Sequence, residues 1–293
     1  MDYAPIALFV YNRPVQLAFT LSALGQNELA AQSELHVFSD NGDEVYVVRA
    51  MIEEIRGFKK VHIHLSKPHW GLRTSILKGV SFMLGRYDQV IVLEDDIVTS
   101  PNFLIYMNVC LEQFKDRHDI GSITGYNAVD IPDGYDCPVY LSHRPGSWGW
   151  ATWKDRWQHF YPGEFVFRND KAGFNIGGDD LYRMMKRQRR GEIDSWAIDW
   201  AFHHYKKAMY CVYPCVSKAR NIGIGSGTNC NAKTTRYDVE IDTNREFIIG
   251  DVDVQPSDKM INAFRAFWKY SLFKKFKVFI NDIFIRPVLR RMA

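Results

Sequence analysis

Short apolar runs separated by polar turns recur through the first 125 residues. Ile6–Tyr11, Leu35–Ser39, Val90–Leu93 and Ile120–Thr124 read as strands, and Val61–Leu65 as another, with Val61, Ile63 and Leu65 alternating along it. Between them, Val15–Leu29, Val45–Phe58, Leu72–Leu84 and Asn102–Asp116 are compatible with helices. Strands alternating with helices at this spacing predict a doubly wound, mostly parallel α/β sheet. The run that stands out is VIVLEDDIVTSP, residues 90–101, in which four apolar residues lead straight into Glu94, Asp95 and Asp96. An unbroken run of that kind fits a strand buried on both faces. In extended backbone, Glu94 and Asp96 would point one way and Asp95 the other. Ser100 and Pro101 read as the cap and first position of the next helix.

The pattern changes after residue 125. Ile131–Ser147 is rich in Pro, Gly and Asp, and Ser147–Trp157 holds four of the eight tryptophans. Asp179–Arg190 and Ser195–Lys207 read as helices. Asn221–Asn231 is a Gly/Ser/Asn loop of the kind that often serves as a lid. Near the end, Ile261, Phe264, Trp268, Leu272, Phe276, Phe279 and Ile283 fall three or four apart in a helical stripe. The expected organisation is a catalytic domain over residues 1–258, with halves 1–125 and 126–258, and a basic aromatic helical tail over 259–293.

Composition alters this picture in two places. The chain has 293 residues, 46% hydrophobic, which suits a globular α/β domain with a sizeable core. Its net charge of +3 is unevenly spread: residues 259–293 carry nine Lys/Arg against Asp282, a local +8 that leaves residues 1–258 at −5. A mildly acidic body argues against nucleic acid as a partner. The basic tail either touches an anionic membrane surface or packs on the body. The five cysteines, Cys110, Cys137, Cys211, Cys215 and Cys230, are odd in number and irregularly spaced, which fits a reduced, cytoplasmic setting. Cys211 and Cys215 lack the second pair that a zinc site needs. The opening MDYAPIALFVYNRP is not expected to be a signal peptide, and no stretch is long enough for a transmembrane helix.

Three like charges at the end of a buried strand ask for a cation, most simply Mg²⁺ or Mn²⁺ held together with nucleotide phosphates. Open α/β sheets bind ligands at this carboxyl edge. Arg13 and Asp40 end the first two strands on that edge and could grip a nucleobase and ribose, although turn chemistry also explains them. Arg73 stands in a helix's first turn, where a cation is poorly placed unless it faces an anion. Neither GxGxxG nor GxxxxGK[ST] occurs. Trp148 and Trp150 could stack on sugar faces or pack in the core, and Trp153 and Trp157 read as core. Ser195, Asp199 and His203 would share one helix face. An aspartate among Trp196 and Trp200 should have a raised pKa and be usable as a base, unless it pairs with one of Arg183–Arg190.

Taken in order, these pieces resemble a GT-A fold glycosyltransferase, most closely the N-acetylglucosaminyltransferase I type, over about residues 4–230. The resemblance rests on Tyr11-Asn12-Arg13-Pro14, Phe38-Ser39-Asp40, Val92-Leu93-Glu94-Asp95-Asp96 with Ser100-Pro101-Asn102-Phe103, Pro145–Trp150, Trp196–Trp200 and Arg220–Thr228. It implies that Asp96 binds the metal and that Glu94 and Asp95 bond to donor sugar and ribose. It further implies that Arg13 and Asp40 hold the base and diphosphate end, that Trp148 belongs to the sugar-side loop, and that Asp199 is the general base of an inverting transfer. The match around Arg73 is loose. With no membrane-spanning anchor expected, the chain resembles bacterial relatives that build lipopolysaccharide or capsule from cytosolic nucleotide sugars. That implies a nucleotide-sugar donor, UDP ahead of GDP or dTDP, a glycan or lipid-linked acceptor, and a cytoplasmic place, with contact to the inner face of the cytoplasmic membrane left open. Two other readings stay open: a sugar-nucleotide nucleotidyltransferase, and a non-catalytic carbohydrate-binding protein.

Overall fold

The structure, a computed structural model, describes residues 3–163, 171–224, 234–250 and 252–271. Cys230, most of the polar loop after Ile224 and the tail stripe from Leu272 onward lie outside the described residues. The elements in chain order are β1 (Ile6–Val10), α1 (Pro14–Gly25), β2 (Glu34–Ser39), α2 (Val45–Glu53), β3 (Lys60–Leu65), α3 (Leu72–Leu84), β4 (Gln89–Glu94) and β5 (Ile97–Thr99). They continue with α4 (Phe103–Gln113), β6 (Ile120–Thr124), β7 (Val139–Ser142), β8 (Trp150–Trp153), α5 (Lys154–Trp157) and α6 (Lys171–Phe174). The last are α7 (Leu181–Arg189), α8 (Trp196–Lys206), β9 (Tyr210–Pro214), β10 (Ala219–Asn221) and α9 (Asp258–Trp268).

Eight strands form one mixed sheet in the order β3-β2-β1-β4-β8-β6-β9-β7. β3, β2, β1 and β4 are mutually parallel, β8 runs against β4 and β6, and β7 runs against β9. Alternation along β1 explains why helices cover both faces. Ile6, Leu8 and Val10 join a core with Leu17 and Leu24 of α1, Val48 and Ile52 of α2, and Leu104, Met107 and Leu111 of α4. Ala7 and Phe9 turn the other way, to Ile76, Val80 and Met83 of α3 and to Trp150, Trp157, Trp196 and Trp200. The doubly wound α/β expectation therefore holds.

Several local expectations do not. Asp95 and Asp96 are turn residues, not extended strand, because the chain leaves the sheet there for β5, which pairs antiparallel with β10. Ser100 and Pro101 do not open α4, which starts at Phe103 with Asn102 before it. The Ser100 N–H donates to the Lys218 carbonyl, and the Pro101 carbonyl accepts from Glu28, so tertiary bonds hold both outside the helix. On the edge strand β3 only Val61 of the alternating apolar set packs on the core, while Ile63 and Leu65 are 37% and 53% exposed. In α9, Met260 and Phe264 pack against Tyr140 and Tyr213, so the described start of the tail lies on the body. No described helix is long and apolar enough to cross a membrane.

Candidate active site

Glu94 ends β4, and the turn after it carries Asp95 and Asp96, both only 5% exposed. Burial, with the charges of Asp96 and Asp95, pushes the Glu94 carboxyl up to about 8, while Arg13 and a hydrogen bond from Trp196 pull it back. Burial raises Asp95 to about 6, opposed by the Tyr11 N–H, which donates to Asp95 Oδ2 at 2.8 Å. Asp96 is raised as well, again chiefly by burial. The one described cation against this turn is Arg13, from the residue preceding α1, with Nη1 2.5 Å from Asp96 Oδ2 and 3.8 Å from Asp95 Oδ1. Three crowded, desolvated carboxyls with one guanidinium are short of positive charge.

The next two strand ends build the flank. Asp40, just past β2, accepts from the backbone N–H groups of Asn41, Trp70 and Gly71, each at 2.9 Å, and lies 3.0 Å from His69 Nδ1. Its carboxylate thus shapes the loop before α3, where Gly71 takes φ +76°, a conformation suited to glycine. Tyr11 stacks on His69 at 4.9 Å between centroids, and both rings reach solvent at this edge.

The helix α8 brings the second carboxylate group over β4. Trp196 stacks on Trp150 of β8 at 4.9 Å, and its bond to Glu94 ties the first turn of α8 to the acid turn. Three residues on, Asp199 is 2% exposed. Arg73, in the first turn of α3, donates to Asp199 Oδ2 from Nε at 3.0 Å and from Nη2 at 2.7 Å, and lies 3.5 Å from Asp194. Gln188 approaches the same oxygen at 3.5 Å. Asp199 Oδ1 is buried and has no hydrogen-bond partner among the described residues. Burial raises the Asp199 pKa, and Arg73 restrains the rise.

A third wall comes from β10. The Ile222 N–H donates to the Asp96 carbonyl at 2.9 Å, and Asn221 reaches Asp96 Oδ1 at 3.5 Å. A Cβ on Gly223 would sit 2.0 Å from Asp96 Oδ2, so only glycine leaves room beside that oxygen. An oxygen-only donor set and a charge deficit fit a hard divalent cation at Asp96. Trp148 is half-buried against Tyr126 at 4.5 Å and Tyr237 at 5.9 Å, on the same carboxyl edge.

No protein-family model matches the sequence, and a search of curated proteins returns no match. Among solved structures, the chain is similar to Staphylococcus aureus TarS 1–349, at 11% identity and TM-score 0.42, over 73% of this chain and 59% of that one. It is similar also to the mannosyltransferase PcManGT from Pyrobaculum calidifontis in complex with GDP-Man and Mn²⁺, at 11% identity and TM-score 0.40, over 69% and 70%. The third is galactosyltransferase LgtC in complex with donor and acceptor sugar analogs, at 11% identity and TM-score 0.41, over 71% and 72%. The match thus spans less than two thirds of TarS 1–349. Likeness of this degree concerns the course of the backbone, and what the site does rests on its own residues.

The residues expected at the site fall into groups. Arg13, Glu94, Asp95 and Asp96 meet at one turn, and Arg73 and Asp199 meet each other. The anion that Arg73 faces is Asp199, which replaces both the expected ligand anion and the Arg183–Arg190 pairing. Asp40 is occupied with the backbone of residues 41–71. Trp150, Trp153 and Trp157 are core, at 0%, 4% and 6% exposure. His203 stacks on Trp200 at 5.3 Å and contacts Phe160, away from any described partnership with Asp199. Gln188 and the Tyr11–His69 stack were not singled out from sequence, although Tyr11 stands next to Asn12-Arg13. Asn221 and Gly223 lie in the polar loop read as a lid, but nothing local pointed to their contact with Asp96.

Proposed function

We propose that this chain is a metal-dependent, inverting glycosyltransferase of GT-A type that moves a sugar from a nucleotide sugar, UDP-linked, to a hydroxyl of a glycan or lipid-linked glycan. What carries the reading is one juxtaposition. A cation-deficient carboxylate turn shares its sheet edge with a buried aspartate that has one oxygen clamped and the other unpartnered.

Asp96 would hold Mn²⁺ or Mg²⁺, and the ion when bound would offset charge on the departing diphosphate. Arg13, freed from Asp96, is in reach of the same phosphates. Glu94 and Asp95 accept from sugar and ribose hydroxyls. Asp40 acts by shaping the 69–71 loop, which sets His69 against Tyr11 as an aromatic wall for the base, and Trp148 backs the sugar side. Asp199 Oδ1 takes the proton from the acceptor hydroxyl. The acceptor oxygen forms its bond to the anomeric carbon as the carbon–phosphate-oxygen bond breaks and the nucleoside diphosphate leaves. A raised carboxyl pKa suits a base, and Arg73 opposes the rise that burial causes. The resemblance in sequence points to cell-surface polysaccharide or lipopolysaccharide as the product class, made at the inner face of the cytoplasmic membrane.

The test is release of nucleoside diphosphate from a panel of nucleotide sugars with Mn²⁺ and a mixed glycan acceptor pool. Turnover should need the metal, and Asp199→Asn should lose about 10²–10⁴-fold in kcat while still binding donor. Normal turnover by Asp199→Asn would remove the base assignment.

A further inference from the structure

A groove of about 600 Å³ lies between α1 and the paired strands β5 and β10. Val15 and Phe19 of α1, Val98 of β5, Ile222 just after β10, and Ile241 make its apolar lining. Val15 and Phe19 are one helical turn apart and 65% and 59% exposed, so they form a stripe and are not scattered surface residues. From Val15 to Gln26 the groove follows α1 for about 16 Å.

One charge interrupts this lining. Arg220 of β10 is the only charged side chain among the described residues around the groove. Its Nε is buried without a hydrogen-bond partner. Withdrawing a guanidinium N–H from water is costly unless an anion meets it. Asp238 and Glu240 border the adjoining cavity with Arg220, yet neither forms an ion pair with it. The acid turn does not supply the anion either. Asn221, next along β10, reaches Asp96 Oδ1 at 3.5 Å, so alternation sends Arg220 to the opposite face, with its register partner Val98. An elongated apolar groove with one unpaired cation and no described acid complements an amphiphile that ends in phosphate.

We propose that this groove holds the lipid end of the acceptor, with its chain along Val15 and Phe19 and its phosphate on Arg220. The inference rests on the glycosyltransferase reading above and narrows the acceptor to a glycan carried on a lipid phosphate. β10 links this groove to the donor side. Arg220 serves the lipid phosphate on one face, Asn221 meets Asp96 on the other, and the Ile222 N–H that follows donates to the Asp96 carbonyl. A lipid phosphate in the groove therefore lies against the strand that closes on the acid turn.

Binding is read first by calorimetry on the full wild-type chain, with dodecyl phosphate below its micelle concentration. Neither Mn²⁺ nor nucleotide is present, so a failure here is distinct from a failure of the donor reading. One equivalent should bind, with affinity rising about fourfold per methylene from octyl to dodecyl phosphate. Dodecanol and inorganic phosphate should each bind at least tenfold more weakly. Arg220→Gln and Phe19→Asp should each weaken dodecyl phosphate at least tenfold, and Phe19→Asp, at an exposed position, should fold as wild type does. In transfer assays, a glycan on a lipid phosphate should show a KM at least tenfold below that of the same glycan without lipid. Phe19→Asp should abolish that preference. No binding of dodecyl phosphate, equal binding of dodecanol, unchanged affinity in both variants, or a KM indifferent to the lipid would overturn the proposal. So would a concentration-dependent dimer that Phe19→Asp breaks, which would give the groove to a second copy of this chain.

Discussion

Asp199 is defined by asymmetry: Oδ2 is held by Arg73, and Oδ1 is buried and open. Arg73 lowers a carboxyl pKa that burial raises. Its removal therefore pushes that pKa higher, and since the base works ionised, the acid limb of the pH–rate profile should move to higher pH in Arg73→Gln. An unmoved limb would mean that Arg73 does not govern Asp199. Gly223→Ala should lower divalent-dependent nucleotide affinity at least tenfold with little change in Tm, because its Cβ meets Asp96 Oδ2. Retained affinity would place the ion elsewhere. The acid turn also sets a pH dependence. Glu94 and Asp95 have folded pKa values above their ordinary ones, so the folded chain holds protons that the unfolded chain has released. Their stabilisation is present below the ordinary carboxylate range and is lost as pH rises through about 6 for Asp95 and about 8 for Glu94. The Tm of metal-free protein should fall across that window, while the gain from Mn²⁺ should grow, since protons and cation compete. Melting curves with and without Mn²⁺ check both trends.

Elements differed in how readily the sequence disclosed them. β1 and β4 were legible as apolar runs buried on both faces, β2 and β6 as short segments between helix-compatible stretches, and α3 was bounded by Gly71 before it and Gly85 after it. β7 and β9 were not, because Val139–Ser142 sits within a Pro/Gly-rich stretch and Tyr210–Pro214 ends in proline. Each becomes a strand by pairing with the other, about 70 residues apart in the chain. β8 was hidden by Trp150, which could equally stack on a sugar or pack in the core and which fills the space between α8 and the sheet. The site was legible in its residue types and not in its pairings: nothing local to Arg73 says that its partner is 126 positions away. The same holds for α9, whose apolar stripe suits a membrane or a protein face equally. Its Phe264 is 3% exposed against Tyr140 and Tyr213. Phe264→Ala should cost about 3–5 kcal/mol in denaturant unfolding. A cost under about 1 kcal/mol would mean that the helix does not dock.

At the scale of the molecule, the site gathers at the carboxyl edge of the parallel strands. β4 delivers the carboxylate turn, α3 delivers Arg73, α8 delivers Asp199, and β10 closes on Asp96 from the side. In the proposed reaction the turn would grip the leaving nucleoside diphosphate through a cation while Asp199 would serve the acceptor. The most direct measurement is a thermal-shift series with UDP, GDP, CDP and dTDP, each with and without Mn²⁺, on wild type, Asp96→Asn and Asp199→Asn. Ligand that binds only the folded state raises Tm by mass action. One base, UDP, should stabilise wild type and Asp199→Asn only when Mn²⁺ is present, and Asp96→Asn should not respond. A shift that survives in Asp96→Asn, or none with any diphosphate and cation in wild type, would contradict the account.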